Sequence, residues 1–363
     1  MYGSMRSSRF VNKQLRRLPT IRLPKQLKVR ILPKRFAFAA RCVYGALLLA
    51  FFLFTALTIV TAITIDFPLT EPKVAVAPFP VGVDPDRKII TENPELDQFL
   101  ESGGRARWHL PSLVPTGKFA RFIAKLSRSS WYQMAIPGGR LLVIFPGERK
   151  EEIAANFGSI LRWDRNEREK FMSLVTSSDP ILPDGKFYPE RYLVAVDASP
   201  EDVAIMVNER FETEVLARYD DDAEAILPLN EALVIASLLE REARDFTDMR
   251  EISGVIWNRL FIDMPLQLDA TLQYIKGARA DQPWWPVPTP ADKYLDSPFN
   301  TYKNKGLPPS PIANPSVESI LAALNPKTTD CLFYFHDSDA NFHCSADYES
   351  HVAKLREIYG RGR

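Results

Sequence analysis

Residues 42–65 are 24 consecutive positions without a charge. At ~1.5 Å rise per residue such a run makes a helix of about 36 Å, enough to cross a ~30 Å hydrocarbon core with some tilt. A cleaved signal peptide is the competing reading, and Val60-Thr61-Ala62 offers small residues of the kind found at cleavage sites. The run is longer than an h-region of about 7–15 residues, and the basic stretch before it is longer than an n-region, so an uncleaved anchor is expected. Residues 1–41 hold 12 Lys or Arg and no Asp or Glu, whereas the remaining chain carries 34 basic against 45 acidic side chains. This asymmetry places residues 1–41 in the cytoplasm and exports 66–363. The basic arm then meets anionic headgroups, and no nucleic-acid partner is expected. The expected location is the cytoplasmic (inner) membrane, single-pass, with the bulk of the chain on the periplasmic side.

Beyond the span, residues 66–94 contain six prolines (68, 72, 78, 80, 85 and 94) and no sustained apolar period, the pattern of a semi-extended linker. Within the remainder of 66–137 only 119–126 has the spacing of an amphipathic helix. The apolar run 141–145 predicts a strand, Pro146-Gly147 a turn, and 148–157 and 166–175 two helices. The spacing of Pro146-Gly147, Ile153-Ala154 and Phe157-Gly158 resembles LysM glycan-binding modules, so 138–180 is expected to be a small LysM-like βαα unit. Core packing explains the same apolar positions equally well.

From residue 181 the patterning tightens. Val203, Val207, Phe211 and Val215 recur every fourth position and predict a helix over 200–219. Asn230 is placed to cap the next helix. Residues 232–239 of that helix include nothing more polar than Ser237, so it must be buried nearly all round. Its first charged residue thereafter is Glu240. At 100° per residue, Leu233, Ala236, Ser237 and Glu240 share a face, and Glu242 lies about 200° round from Glu240. Glu240 is thus a single carboxyl at the end of a buried helix, where desolvation raises the pKa as a general acid requires. The alternative is an ordinary i,i+4 pair with Arg244 on a solvated turn. A further amphipathic helix follows through Ile252, Val255, Ile256 and Leu260, and then 264–271 alternates like a strand or extended loop. Proline-locked loops occupy 297–302 and 306–315. A helix over 316–324, a strand over 331–335 and a helix around 351–359 close the chain.

Several chemistries are excluded. The sequence has no G-x-S-x-G, H-E-x-x-H, phosphate-binding glycine loop or C-x-x-C, and its four histidines (109, 336, 343 and 351) lack metal spacing. No cofactor and no metal are expected. A symmetric hairpin centred near Asp337-Ser338 sets Cys331 opposite Cys344, as a bridge or as two free thiols.

Six strings in order, Ala236-Ser237-Leu238-Leu239-Glu240-Arg241-Glu242, Asn258-Arg259-Leu260, Leu266-Gln267-x-Asp269-x-Thr271, Asn300-Thr301-Tyr302, Gly306-Leu307-Pro308-Pro309-x-Pro311-Ile312-Ala313 and Ala323-Leu324-Asn325-Pro326, closely resemble the YceG-like, or MltG, family of membrane-anchored endolytic murein transglycosylases. Ala243, Ala270 and Phe299 depart from the family's threonine, proline and tyrosine. The resemblance implies an α+β chain: one N-terminal transmembrane helix, the LysM-like unit, and a mixed α+β catalytic domain over 181–363. It implies Glu240 as catalytic acid, and peptidoglycan glycan strands as substrate, cut between N-acetylmuramic acid and N-acetylglucosamine to leave 1,6-anhydro ends. It also implies a role in limiting nascent strand length beside peptidoglycan synthases in the membrane. Gln267, Asn300 and Tyr302 are candidates for orienting the sugar, or for bonds within their own loops. Asp269 could stabilise developing positive charge or cap a turn. His343 falls where the family tends to have a histidine and is a cleft candidate. Trp284-Trp285 could stack on sugar rings or pin a proline-rich loop. A muramidase using water and an inactive glycan-binding anchor of a cell-wall synthesis complex are the competing readings.

Overall fold

Residues 77–93, Leu96, 139–178, 180–279 and 281–360, with Tyr44, Leu48, Phe51 and Phe54, are described by a computed structural model. The chain divides into two units, Met1–Pro72 and Lys73–Arg363. In the first, the four described residues are helical and exposed. The rest of the expected span, the basic arm and the candidate helix 119–126 lie outside the described residues. Among the described residues no helix is long and apolar enough to cross a membrane.

The second unit is mixed α and β, with two cores. The first core is built by β3 (Gly139–Val143), α1 (Lys150–Leu161), α2 (Arg165–Thr176), β4 (Arg191–Ala195) and α3 (Pro200–Glu214). β3 and β4 pair antiparallel, Leu142 opposite Tyr192. Along β4 the strand period turns Tyr192 and Val194 inward and Arg191, Leu193 and Ala195 outward. Asp164 with Glu167 and Ser199 with Asp202 form capping boxes that start α2 and α3. Phe157, Trp163, Phe171 and Phe187 pack ring against ring inside. The expected boundary between 180 and 181 therefore runs between two strands of one sheet, because the core continues to Val207. Nothing local to a strand names its partner, which here lies some 50 residues away.

The second core surrounds α5 (Leu229–Glu242), which follows the short α4 (Asp221–Ile226) and packs against α6 (Phe246–Phe261), α7 (Asp269–Gly277) and α8 (Val317–Leu324). Residues 232–239 are all buried, as their unbroken apolar run demands. The helix starts two residues earlier than expected. Leu229 is pulled into the core, its N–H donates to Glu224 Oε2 at 2.9 Å, and Asn230 is an exposed first-turn residue instead of the cap. Trp257 locks α6 to α8 by donating from Nε1 to the Ala323 carbonyl at 3.0 Å.

Two expectations are corrected. The proline-rich segment is not a free linker where it is described. β1 (Val83–Asp84) and β2 (Ile89–Ile90) form a small hairpin, and Phe79 and Val83 are 3% exposed within the second core. Phe79 N donates to the Arg218 carbonyl, Gly82 N to Leu324, and Asn325 Nδ2 to Pro80. An extended piece that buries a few large side chains leaves no period for the sequence to display. Similarly, the alternating stretch is no strand: 264–268 is loop, and Asp269 and Thr271 belong to α7.

The chain ends in β5 (Phe333–His336), β6 (Phe342–Ser345) and α9 (Tyr348–Tyr359). Cys331 and Cys344 are bridged, with Cα atoms 5.7 Å apart. They are not directly opposite, because Cys344 faces Tyr334 in the ladder. The Asp337 carboxylate sets this register: Oδ1 accepts from Asp339 N and Asn341 N, centring the turn later than symmetry between the cysteines requires. With 13 residues of separation, the bridge contributes about 3 kcal/mol in the chain-entropy account.

Candidate active site

Glu240 ends the face of α5 that also carries Leu233 and Ser237. Its Oε2 accepts from Ser316 N at 3.1 Å and Ser316 Oγ at 2.7 Å. Ser316 is the N-cap of α8, so the carboxyl meets the positive end of that helix. Burial pushes the Glu240 pKa up, opposed by the Ser316 and Ser319 donors and the Arg241 charge. The alternative pairing with Arg244 does not occur: Arg244 is exposed and its backbone N–H donates to Asp248.

Two loops close on this carboxyl. Ile312 N donates to Ser237 Oγ at 3.0 Å, holding the proline-locked stretch one turn below Glu240. Asn314 ties that stretch to the turn after β3: its N and Nδ2 both donate to the Glu148 carbonyl, and its own carbonyl accepts from Gly147 N. Gly147 has φ of +80°, and a Cβ there would stand 3.5 Å from Glu240 Cγ. The glycine thus meets a conformational and a spatial demand together.

Glu242 turns to other partners, accepting from Ala270 N at 3.2 Å and Tyr334 OH at 3.1 Å. Burial raises its pKa as well, against those two donors. Of the substrate-binding candidates, Asp269, Tyr302 and Gln267 lie towards this side. Tyr302 OH donates to Asp269 Oδ1 at 2.7 Å, and Asp269 is exposed in the first turn of α7. Gln267 is exposed with φ of +52°, held there by donation from its N to the Thr301 carbonyl. A non-glycine residue in that region is a strained conformation of the kind kept at functional sites.

Asn300 is 0% exposed, with Nδ2 donating to Lys293 and Leu295 carbonyls and Oδ1 accepting from Tyr302 N. Its amide shapes the loop and is closed to a sugar. His343 is not brought to either glutamate. The strand period puts it with Phe335 on the hairpin face opposite Tyr334, bonded to Asp337 Oδ2 at 2.8 Å. Trp284 and Trp285 are half-buried, and the Trp285 ring lies 3.8 Å from the Arg241 guanidinium. They pin their loop to arginines.

Ser316, Gly147, Arg241 and Tyr334 escaped sequence reasoning. Ser316 had a signal, since a serine opening a helix offers two donors to an anion. Nothing local linked it to a carboxyl 76 positions away. Among the described residues no three His, Cys, Asp or Glu are grouped to hold a metal ion. A concavity of about 430 Å³ lies at the other end of α5, beside Asn230 and Glu231, and neither glutamate nor any substrate-binding candidate lines it.

Asp184, 1% exposed, stands beneath the start of α1, and burial pushes its carboxyl up to about 6. Below about pH 4 it is protonated both folded and unfolded. As pH rises from there through about 6, only the unfolded chain releases the proton freely, so stability falls and then levels off. Asp184→Asn should therefore match the parent near pH 4 and exceed it by up to about 3 kcal/mol at pH 7, read by urea unfolding at both pH values.

Comparison with known proteins gives a consistent result. A solved structure of a yceG-like protein of Listeria monocytogenes superimposes with a TM-score of 0.52 at 25% identity, covering 66% of this chain and 82% of that one. Endolytic murein transglycosylase of Bacillus subtilis is 39% identical over 131 residues, 36% of this chain and 35% of that protein. Its counterpart in Streptococcus pneumoniae is 29% identical over 175 residues, 48% of this chain and 32% of that protein. The matches thus span about a third of the length of these relatives. The model of the YceG-like family matches residues 112–357. Because that stretch takes in both glutamates and the elements that hold them, the chain belongs to the YceG-like family.

Proposed function

We propose that this protein is an endolytic lytic transglycosylase that cuts peptidoglycan glycan strands between N-acetylmuramic acid and N-acetylglucosamine. The observation that carries this reading is the Glu240 carboxyl, raised in pKa by burial and fixed on one oxygen by both donors of Ser316. The printed names of the two bacterial relatives point the same way. Glu240 protonates the glycosidic oxygen as the bond to C1 breaks. The carboxylate left behind is stabilised by Ser316 and the α8 N-terminus, and it then takes the proton of the muramic acid 6-hydroxyl as that oxygen attacks C1. The product is a 1,6-anhydro end, and no water is consumed. Tyr302, Asp269 and Gln267 orient the strand along the Glu242 side.

A muramidase is the second reading, since hydrolases of this type use two carboxylates and Glu242 and Asp269 supply further ones near the end of α5. In both readings residues 42–65 anchor the chain in the inner membrane, the β3–α1–α2–β4 unit is a LysM-like module that holds glycan, and membrane peptidoglycan synthases supply nascent strands. The full chain in detergent, given purified sacculi, should release 1,6-anhydro-ended fragments detectable by mass spectrometry. Internal cuts with reducing ends would replace the transglycosylase by the muramidase. Binding without any cut would leave a glycan-holding anchor.

A further inference from the structure

Arg241 follows Glu240 on the last turn of α5 and is half-buried. Its guanidinium carries five N–H donors. Among the described residues it makes one polar contact, a long 3.5 Å approach of Nη1 to the Gly147 carbonyl. Nε is buried and has no hydrogen-bond partner. The Glu152, Glu240 and Glu242 charges act on it through space, without a hydrogen bond. Glu240 and Glu242 are engaged by Ser316 and by Ala270 with Tyr334. The Trp285 ring covers the guanidinium with Cζ 3.8 Å from its centroid. Gly147 also adjoins it with no side chain to offer, and a Cβ there would stand 3.3 Å from both Cδ and Nη1. A guanidinium stacked on an indole is held in one plane with its edge donors directed outward, the arrangement that takes a carboxylate in two parallel hydrogen bonds. Apart from the long Nη1 contact, the terminal nitrogens have no partner among the described residues, and a ligand beside Glu240 would meet them.

In the proposed substrate, muramic acid alone among the two alternating sugars bears a carboxyl, on its lactyl ether. The bond that Glu240 protonates is the one at C1 of that sugar, so the muramyl residue is the one presented to the neighbouring side chain. We infer that Arg241, stacked on Trp285 beside Gly147, binds a carboxylate of the muramyl residue being cleaved and so fixes the cut at every second glycosidic bond. This rests on the function proposed above. The carboxylate has two sources of the same chemistry: the free lactyl group of a peptide-stripped strand, or the stem peptide attached through it.

The test uses the full chain in detergent carrying Glu240→Gln, which allows binding to be measured without turnover. Its ligands are peptide-bearing strands, amidase-stripped strands, and both kinds with their carboxyls converted to methylamides. At low salt the charged strands should bind about tenfold to a hundredfold more tightly than their methylamides. Adding Arg241→Met, which keeps an apolar stem under Trp285, should erase that preference while leaving methylamide affinity unchanged. Arg241→Lys should keep only part of it, and serves as the test if the methionine variant fails to fold. Loss confined to stripped strands assigns the lactyl carboxylate, and loss confined to peptide-bearing strands assigns the stem. Equal weakening of charged and neutral strands, or no weakening of either, overturns the subsite alone. If Glu240→Gln binds no strand of any kind, the glycan-cleaving reading falls with it.

Discussion

Glu240→Gln should lower the release of cleaved glycan from sacculi by about 10²–10⁴-fold, and by more if one group serves as both acid and base. The change is nearly isosteric, and a glutamine oxygen can still accept from Ser316 N and Oγ, so thermal stability should change little. What is lost is the transferable proton. Burial raises the carboxyl's pKa, so the acid form persists to higher pH than in an ordinary glutamate. The alkaline limb of the pH–rate profile, where this acid loses its proton, should therefore fall above the usual carboxylate range, and vanish in the variant. Glu242→Gln is the contrasting case. Its side chain is occupied by Ala270 N and Tyr334 OH, both of which an amide can still meet, so activity should stay within about tenfold of the parent. Near-normal turnover by Glu240→Gln, or a collapse with Glu242→Gln alone, would move the acid to the other glutamate.

Phe79→Ala should destabilise the fold by about 3–5 kcal/mol, the cost of emptying a buried aromatic site. Phe79 is 3% exposed, its ring centroid is 6.5 Å from that of Tyr219, and its N–H donates to the Arg218 carbonyl. A urea titration should show a lower midpoint with an unchanged slope. Tyr294→Ala, at a site 82% exposed, should shift stability by no more than about 0.5 kcal/mol in the same assay. If residues 77–93 were only a tether, the two substitutions would behave alike. The same packing predicts which truncations fold: those beginning after the hairpin remove a piece of the core that Lys327 and Glu92 also tie down, at 3.1 Å.

What the sequence determined by itself was local. An eight-residue apolar run demands a helix buried on every side, and α5 has it. The 3.6-residue period marked α2, α3 and α6, whereas the one cap expected, Asn230, is not used, and Asp164, Ser199 and Ser316 open their helices instead. The ordered strings around Glu240 carried the family, because each string is contiguous chemistry that survives without knowledge of its neighbours. Only the tertiary structure decided which distant pieces meet. It seated Ser316 on Glu240, paired β4 with β3, folded Phe79 into the core, buried Asn300 away from the surface and turned His343 to the far side of its hairpin. The physical reason is range. Helix and strand periods arise from contacts within a few residues, which any window of sequence displays. A hydrogen bond between loops tens of residues apart depends on how whole elements pack, and no residue type or spacing records its partner.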